Sequence, residues 1–245
     1  MNKFLKLLVL GLFFFSPSIF AQSAFQGFYG QIATGYENNS ASNLDAVFKE
    51  AARIYPDTYN ASTQNFGGAP LIVGLGYNFS VAPNFILGIG LDYSLASQRS
   101  STYSSNFPLI DTTFTGQSLK VSNRFNIFIT PGYEIDKDKL VYLKAGYSSI
   151  KATYNPPTAS DGTPEARNWT SPSSTVGGYI LGLGYKQIIK GGFYGFAEGN
   201  YMSYSKPSLV SNVDEQPYGG ASTWTMTTNP SISAYQLLIG IGYKF

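Results

Sequence analysis

The chain of 245 residues contains no cysteine and no histidine, and only 12% of its residues carry a charge. Without cysteine no disulfide holds the fold, so stability has to come from hydrogen bonding and packing. Without histidine, Ser-His-carboxylate catalysis, histidine metal sites and a histidine general base are lost together. Neither sign of charge dominates, with 16 Lys+Arg against 14 Asp+Glu. Lys3 and Lys6 lie in a segment read below as cleaved, which leaves fourteen of each. That balance carries no nucleic-acid footprint, and no nucleic-acid partner is expected. Long apolar runs are scarce as well: the one from Leu7 to Phe15 is too short to span a bilayer as a helix.

That run follows Lys3 and Lys6 and precedes Ser16-Pro17 and Ala21, the arrangement of a secretory signal peptide. Cleavage is expected after Ala21, with Ala24 as the alternative, giving a leader of residues 1–21 and a single domain of residues 22–245. No other stretch is long enough for a spanning helix. If the protein sits in a membrane, it does so as a barrel.

Alternation supports the barrel. The last nine residues put Leu237, Ile239, Ile241, Tyr243 and Phe245 on one face of a strand, and Leu238, Gly240, Gly242 and Lys244 on the other. A face of glycine and lysine opposite an unbroken apolar face fits a strand between lipid and a narrow, filled lumen. The Gly-Tyr pair of this strand recurs at 76–77, 132–133, 184–185 and 242–243. That spacing suits a strand, a long loop, a returning strand and a turn. Four such units make eight strands, expected near 26–36, 69–79, 85–97, 119–133, 140–151, 175–185, 193–204 and 231–245. In the fourth, Leu119, Val121, Phe125, Ile127, Ile129 and Tyr133 are expected outward, with Lys120, Ser122, Arg124, Asn126 and Thr130 inward. The seventh is ambiguous, and only Glu198 decides which of its faces is inside. The fold class is therefore an all-β, eight-stranded, antiparallel, up-and-down transmembrane β-barrel with short periplasmic turns and four long extracellular loops.

The C-terminal pattern resembles the last strand of bacterial outer-membrane β-barrels. The pattern as a whole is similar to the barrel domain of outer membrane protein A and to the small surface-antigen and opacity-type barrels of the porin family. The resemblance implies a Gram-negative outer membrane reached through the Sec pathway, and surroundings of outer-membrane lipid and lipopolysaccharide. It also implies passage through periplasmic chaperones and the barrel-assembly machinery, which in that family reads the signature Leu237, Ile239, Ile241, Tyr243 and Phe245. After Phe245 there is no cell-wall-binding domain of the kind outer membrane protein A carries, so wall anchoring is not expected. The lipid-modifying and proteolytic barrels of this fold rely on histidine, so an enzymatic role is not expected either.

Two further features bear on function. Asp92, Arg124, Lys144 and Glu198 all fall on inward parity, and buried charges are costly unless paired. Asp92 with Arg124, and Lys144 with Glu198 across the lumen, are the expected pairs. They are read either as a polar core that plugs the barrel or as a narrow gated path for ions or small solutes. The plug is favoured, because eight strands leave room only for side chains. The glycines between the strand residues are expected to make room for large neighbours and not to bind phosphate, and no cofactor or metal site is expected.

The long loops cover residues 37–68, 98–118, 152–174 and 205–230. Residues 44–55 have helical spacing, Ser42 and Asp45 form a possible capping box, and Pro56 ends the run. Trp169, Tyr218 and Trp224 are the loop aromatics most apt to touch an extracellular partner, or else to sit at the membrane boundary. The expected function is a structural or surface-interaction protein, with a narrow channel as the alternative. Replacing Phe245 with Asp should lower the amount of heat-modifiable barrel in the outer membrane far more than it lowers synthesis. Equal assembly of that variant would make the signature a coincidence.

Overall fold

The computed structural model describes residues 23–50, 57–107, 111–164, 169–215 and 222–245, and the regular structure in them is all β. Eight long strands run up and down the wall: β1 (Gly27–Ser42), β2 (Leu71–Ala82), β3 (Phe85–Ser94) and β4 (Thr112–Asp136). They continue as β5 (Lys139–Asn155), β6 (Ser173–Lys190), β7 (Phe193–Tyr204) and β8 (Ser231–Lys244). Each pairs antiparallel with the next. The ring closes where β1 pairs with β8, from Tyr29↔Lys244 to Ser42↔Ser231. Turns at one end are two residues long, with Asn84 and Gly191 in the left-handed region at φ 64° and 60°. This is the turn end, and the opposite, loop end carries the long connections.

Alternation sorts the side chains as their period of two requires. Phe28, Leu75, Leu143, Leu183 and Ile239 stand exposed on the outer wall, whereas Tyr29, Ile72, Tyr142, Ile180 and Leu238 are buried inside it. The outer wall is apolar and ends in aromatic pairs. Phe28–Tyr77, Phe85–Tyr133 and Phe193–Tyr243 ring the turn end, and Tyr36–Tyr235 and Tyr179–Tyr201 lie toward the loops. An apolar band between two aromatic girdles is the surface of a barrel in lipid. Among the described residues no helix is long and apolar enough to cross a membrane, so any crossing falls to the strands.

Inside, large side chains lie over glycines of facing strands. A Cβ on Gly90 would fall 2.7 Å from the Tyr29 hydroxyl and 2.8 Å from the Phe128 ring. The expected role of such glycines, making room for large neighbours, has this physical form.

Three expectations need correction. In β4 the inward set changes parity: Leu119 and Val121 are buried, while Lys120 and Ser122 are only partly so. The cause is a bulge at Asn123, whose φ is 53°, where Ser122 to Phe125 span the same wall as Lys151 to Ser149 on β5. One extra residue reverses every side chain beyond it. In the first loop, residues 46–50 form a strand (Ala46–Glu50) and not a helix, and Asp45 accepts a hydrogen bond from Ala61 N–H in place of capping. The rest of that helical stretch, residues 51–55, lies outside the described residues. Strand pairing wins here because Ala46–Glu50 has an edge on each side, against Asp57–Ala61 and Ser222–Thr228.

The long connections pair among themselves. Leu209–Glu215, Ser222–Thr228, Ala46–Glu50, Asp57–Ala61, Tyr103–Phe107 and the start of β4 pair in that order into a second tier above the barrel. Its interior continues the barrel's: Phe48, Tyr59, Phe107, Phe114, Leu209 and Met226 pack in one cluster with Leu119, Ile150, Ile180 and Met202 of the wall.

Replacing Gly90 with Val should destabilise the folded barrel by roughly 1–3 kcal/mol through overpacking against Tyr29 and Phe128. Urea unfolding in lipid vesicles measures it, and an unchanged midpoint would show that the lower lumen has free space.

Candidate functional site

The site is the inside of the barrel. Among the described residues six charged side chains are buried there, Glu37, Asp92 and Glu198 against Arg124, Lys144 and Lys186, three of each sign. Their strands place them at successive heights, each on the inward parity of its own strand.

Lys144, from β5, sits between two carboxylates. Its Nζ donates to Asp92 Oδ2 and to Glu198 Oε1, both at 2.9 Å, and lies 4.0 Å over the Phe128 ring. Asn126 Nδ2 donates to Asp92 at 2.6 Å, Asn200 Nδ2 to Glu198 at 2.7 Å, and the Tyr142 hydroxyl to Glu198 at 2.8 Å. Nearer the loops, Arg124 forms an ion pair with Glu37 and donates to Asn39 Oδ1 at 2.8 Å and to the Tyr204 hydroxyl at 3.0 Å. Asn39 Nδ2 and Gln236 Nε2 also donate to the Glu37 carboxylate, at 2.9 and 2.7 Å. Gln236 Oε1 in turn accepts from Asn200 at 3.4 Å, so the two groups join into one network drawn from six strands. Each of these carboxylates is paired with a cation and receives further donors, which is what makes buried charge tolerable, although the amide oxygens of Asn126 and Asn200 find no partner.

The third cation is held differently. Lys186 lies over the rings of Tyr29, Tyr142 and Tyr194, at 4.3, 5.1 and 5.2 Å from their centres. Among the described residues no carboxylate pairs with it. The hydroxyl of Tyr142, one of the rings beneath it, donates to Glu198.

The structure thus brings Asp92, Lys144 and Glu198 together and places Arg124 elsewhere. The expected pair of Asp92 with Arg124 does not form, because Asp92 faces Lys144, while Arg124 meets Glu37. Glu37 and Lys186 lie beyond the strand ends expected from the sequence, at residues 36 and 185, because β1 and β6 continue to Ser42 and Lys190. Continuing the alternation from Tyr29 and Ala33, or from Gly182 and Gly184, puts both inward, so the signal was there.

Of the loop aromatics, Trp169 is buried in the upper cluster, edge-on to Phe48 at 6.4 Å, and is not an exposed anchor. Trp224 is half-buried against the same Phe48 at 5.2 Å. The second tier has an interior of its own, and aromatic rings fill it. Tyr218 lies outside the described residues. Leu237, Ile239, Ile241, Tyr243 and Phe245 all lie on the outer wall.

No family model matches the sequence, and no curated protein matches it. Solved structures do match. Ail, the attachment invasion locus protein of Yersinia pestis, shares 14% identity over 90% of this chain and 99% of its own, with a TM-score of 0.37. The outer membrane protein OprG of Pseudomonas aeruginosa shares 11% over 91% and 99%, at 0.47. The outer membrane protease OmpT of Escherichia coli shares 9% over 93% and 99%, at 0.49.

A double-mutant cycle tests the pairing. Removing Lys144 as Lys144→Met should cost on the order of 3–5 kcal/mol, since two buried carboxylates lose their cation. Its coupling to Asp92→Asn should be large, and that of Arg124→Leu to Asp92→Asn close to zero. Reversed couplings, from urea unfolding of the three single and two double variants, would restore the pairing expected from the sequence.

Proposed function

We propose that the chain is an integral outer-membrane protein of a Gram-negative bacterium, with a closed lumen and a surface-interaction role carried by its outer tier. In this reading the leader of residues 1–21 directs Sec export and is removed. Periplasmic chaperones and the assembly machinery then deliver the barrel, with the Phe245 signature as the recognised end. The loop end faces the medium and the outer wall meets lipid and lipopolysaccharide.

The closed-lumen reading is supported by the side chains buried inside the barrel. The polar network occupies the middle, and the apolar cluster with Ile150, Ile180 and Met202 occupies the loop end. Water has no favourable path through an apolar core packed in that way. An interaction role follows from what remains exposed. The outer face of the second tier presents Lys49, Thr58, Asn60, Ser104 and Asn106 on paired strands, a fixed polar surface and not a mobile one. The aromatic residues turn inward to support it. A non-enzymatic role rests on the lack of histidine, the residue that the catalytic barrels of this fold use.

Planar bilayers containing the folded protein should show at most small, infrequent current steps. Steady ion-selective conductance that changes with Arg124→Ala or Lys144→Met would favour a channel instead. Substitution of Lys49, Thr58 and Asn60 should remove any adhesion that expression confers on cells, with heat-modifiable migration unchanged.

A further inference from the structure

The turn end is closed by a piece of chain that belongs to no strand. Residues 23–26 fold across the mouth: Gln26 N–H donates to Ser23 C=O at 3.2 Å, and Phe25 N–H to Ser23 Oγ at 3.0 Å. Ser23 Oγ also donates to the Glu134 carboxylate on β4, and Asn78 Nδ2 on β2 donates to Phe25 C=O at 3.0 Å. The Phe25 side chain, only 3% exposed, packs on Ile86, Leu140, Tyr142 and Ile188. Gly27 makes the change of direction possible. Its φ of 129° is one that L side chains rarely adopt, and a Cβ there would meet the Phe245 carbonyl at 3.2 Å.

We infer that residues 23–26 are a stopper for the periplasmic mouth, with Phe25 as its seal and Gly27 as its hinge. The segment contributes no rung to the barrel ladder, and its side-chain anchors to the wall are Ser23–Glu134 and Asn78–Phe25. It therefore opens at a lower cost than any strand, in the way that locally unfolding elements do. Directly behind Phe25 stand Tyr142 and, over its ring, Lys186. An open stopper brings this cation and its tyrosine cage to periplasmic water. The Asp92–Lys144–Glu198 group above still closes the lumen. The inference rests on the closed-barrel reading for which end is periplasmic, but the stopper itself is tested separately from conductance.

The chain has no cysteine, so a single introduced thiol reports its own position. Ile86→Cys lies behind the stopper and Ser148→Cys lies beyond the charged group; both native side chains are buried. Each would be treated with 2-aminoethyl methanethiosulfonate on protein first confirmed as heat-modifiable. Phe25→Ala should raise the labelling rate of Ile86→Cys at least about tenfold, because labelling of a buried thiol follows the population of the open state. Ser148→Cys should stay unlabelled in both backgrounds. Should Phe25→Ala fail to fold, Ser23→Ala with Asn78→Ala loosens both anchors while keeping Phe25, and should also speed labelling. Equal rates for Ile86→Cys with the stopper intact and altered would overturn the proposal, and so would labelling of Ser148→Cys. The stopper further requires the exported protein to begin at Gln22. A mature N-terminus at Phe25, as cleavage after Ala24 would leave, removes the Ser23 anchor and overturns it.

Discussion

Every peptide N–H and C=O carried into hydrocarbon has to find its partner inside the protein, and for strands only a closed ring provides that. Here the ring closes between β1 and β8, which pair over fourteen positions from Tyr29↔Lys244 to Ser42↔Ser231. The rest follows from eight strands being few. The bore is just wide enough for side chains, so Tyr29, Tyr142 and Tyr194 can fill it only where the opposite residue is glycine. The wall therefore alternates large apolar residues outside with a mixture of glycine, amide, charge and a few large buried side chains inside.

Filling a narrow bore with charge imposes its own condition. Three carboxylates and three cations share the lumen, and each carboxylate of the central group receives several donors. Lys186 shows that balance need not mean contact. Tyrosine faces hold its ammonium in place of a paired carboxylate. An arrangement in which each partner is needed to satisfy another has little freedom to rearrange singly, which suits a plug better than a pore.

The upper tier extends the same logic past the membrane. Once the strands leave lipid their edges need not be closed, yet the long loops pair with one another and bury Phe48, Trp169 and Met226 over the top of the lumen. Barrel and tier thus share one apolar core across Ile150, Ile180 and Met202. The surface offered to the outside is set by strand pairing, and the tier is part of the barrel's stability as well as its face.

The fold was legible in the sequence because its signal is local and repeated. Alternation across each strand, the recurring Gly-Tyr pair and the apolar C-terminal strand ending in Phe245 all follow from a period of two between lipid and lumen. The inward placement of Asp92, Lys144 and Glu198 was legible for the same reason. What the sequence could not decide is whatever depends on two strands meeting in space. One bulge at Asn123 reversed the parity beyond it, and pairing among loops turned residues 46–50 from a helical pattern into a strand. Which cation faces which carboxylate was likewise decided by height along tilted strands. Arg124 found Glu37 and left Asp92 to Lys144, because register across a closed ring is a property of the ring and of no single segment.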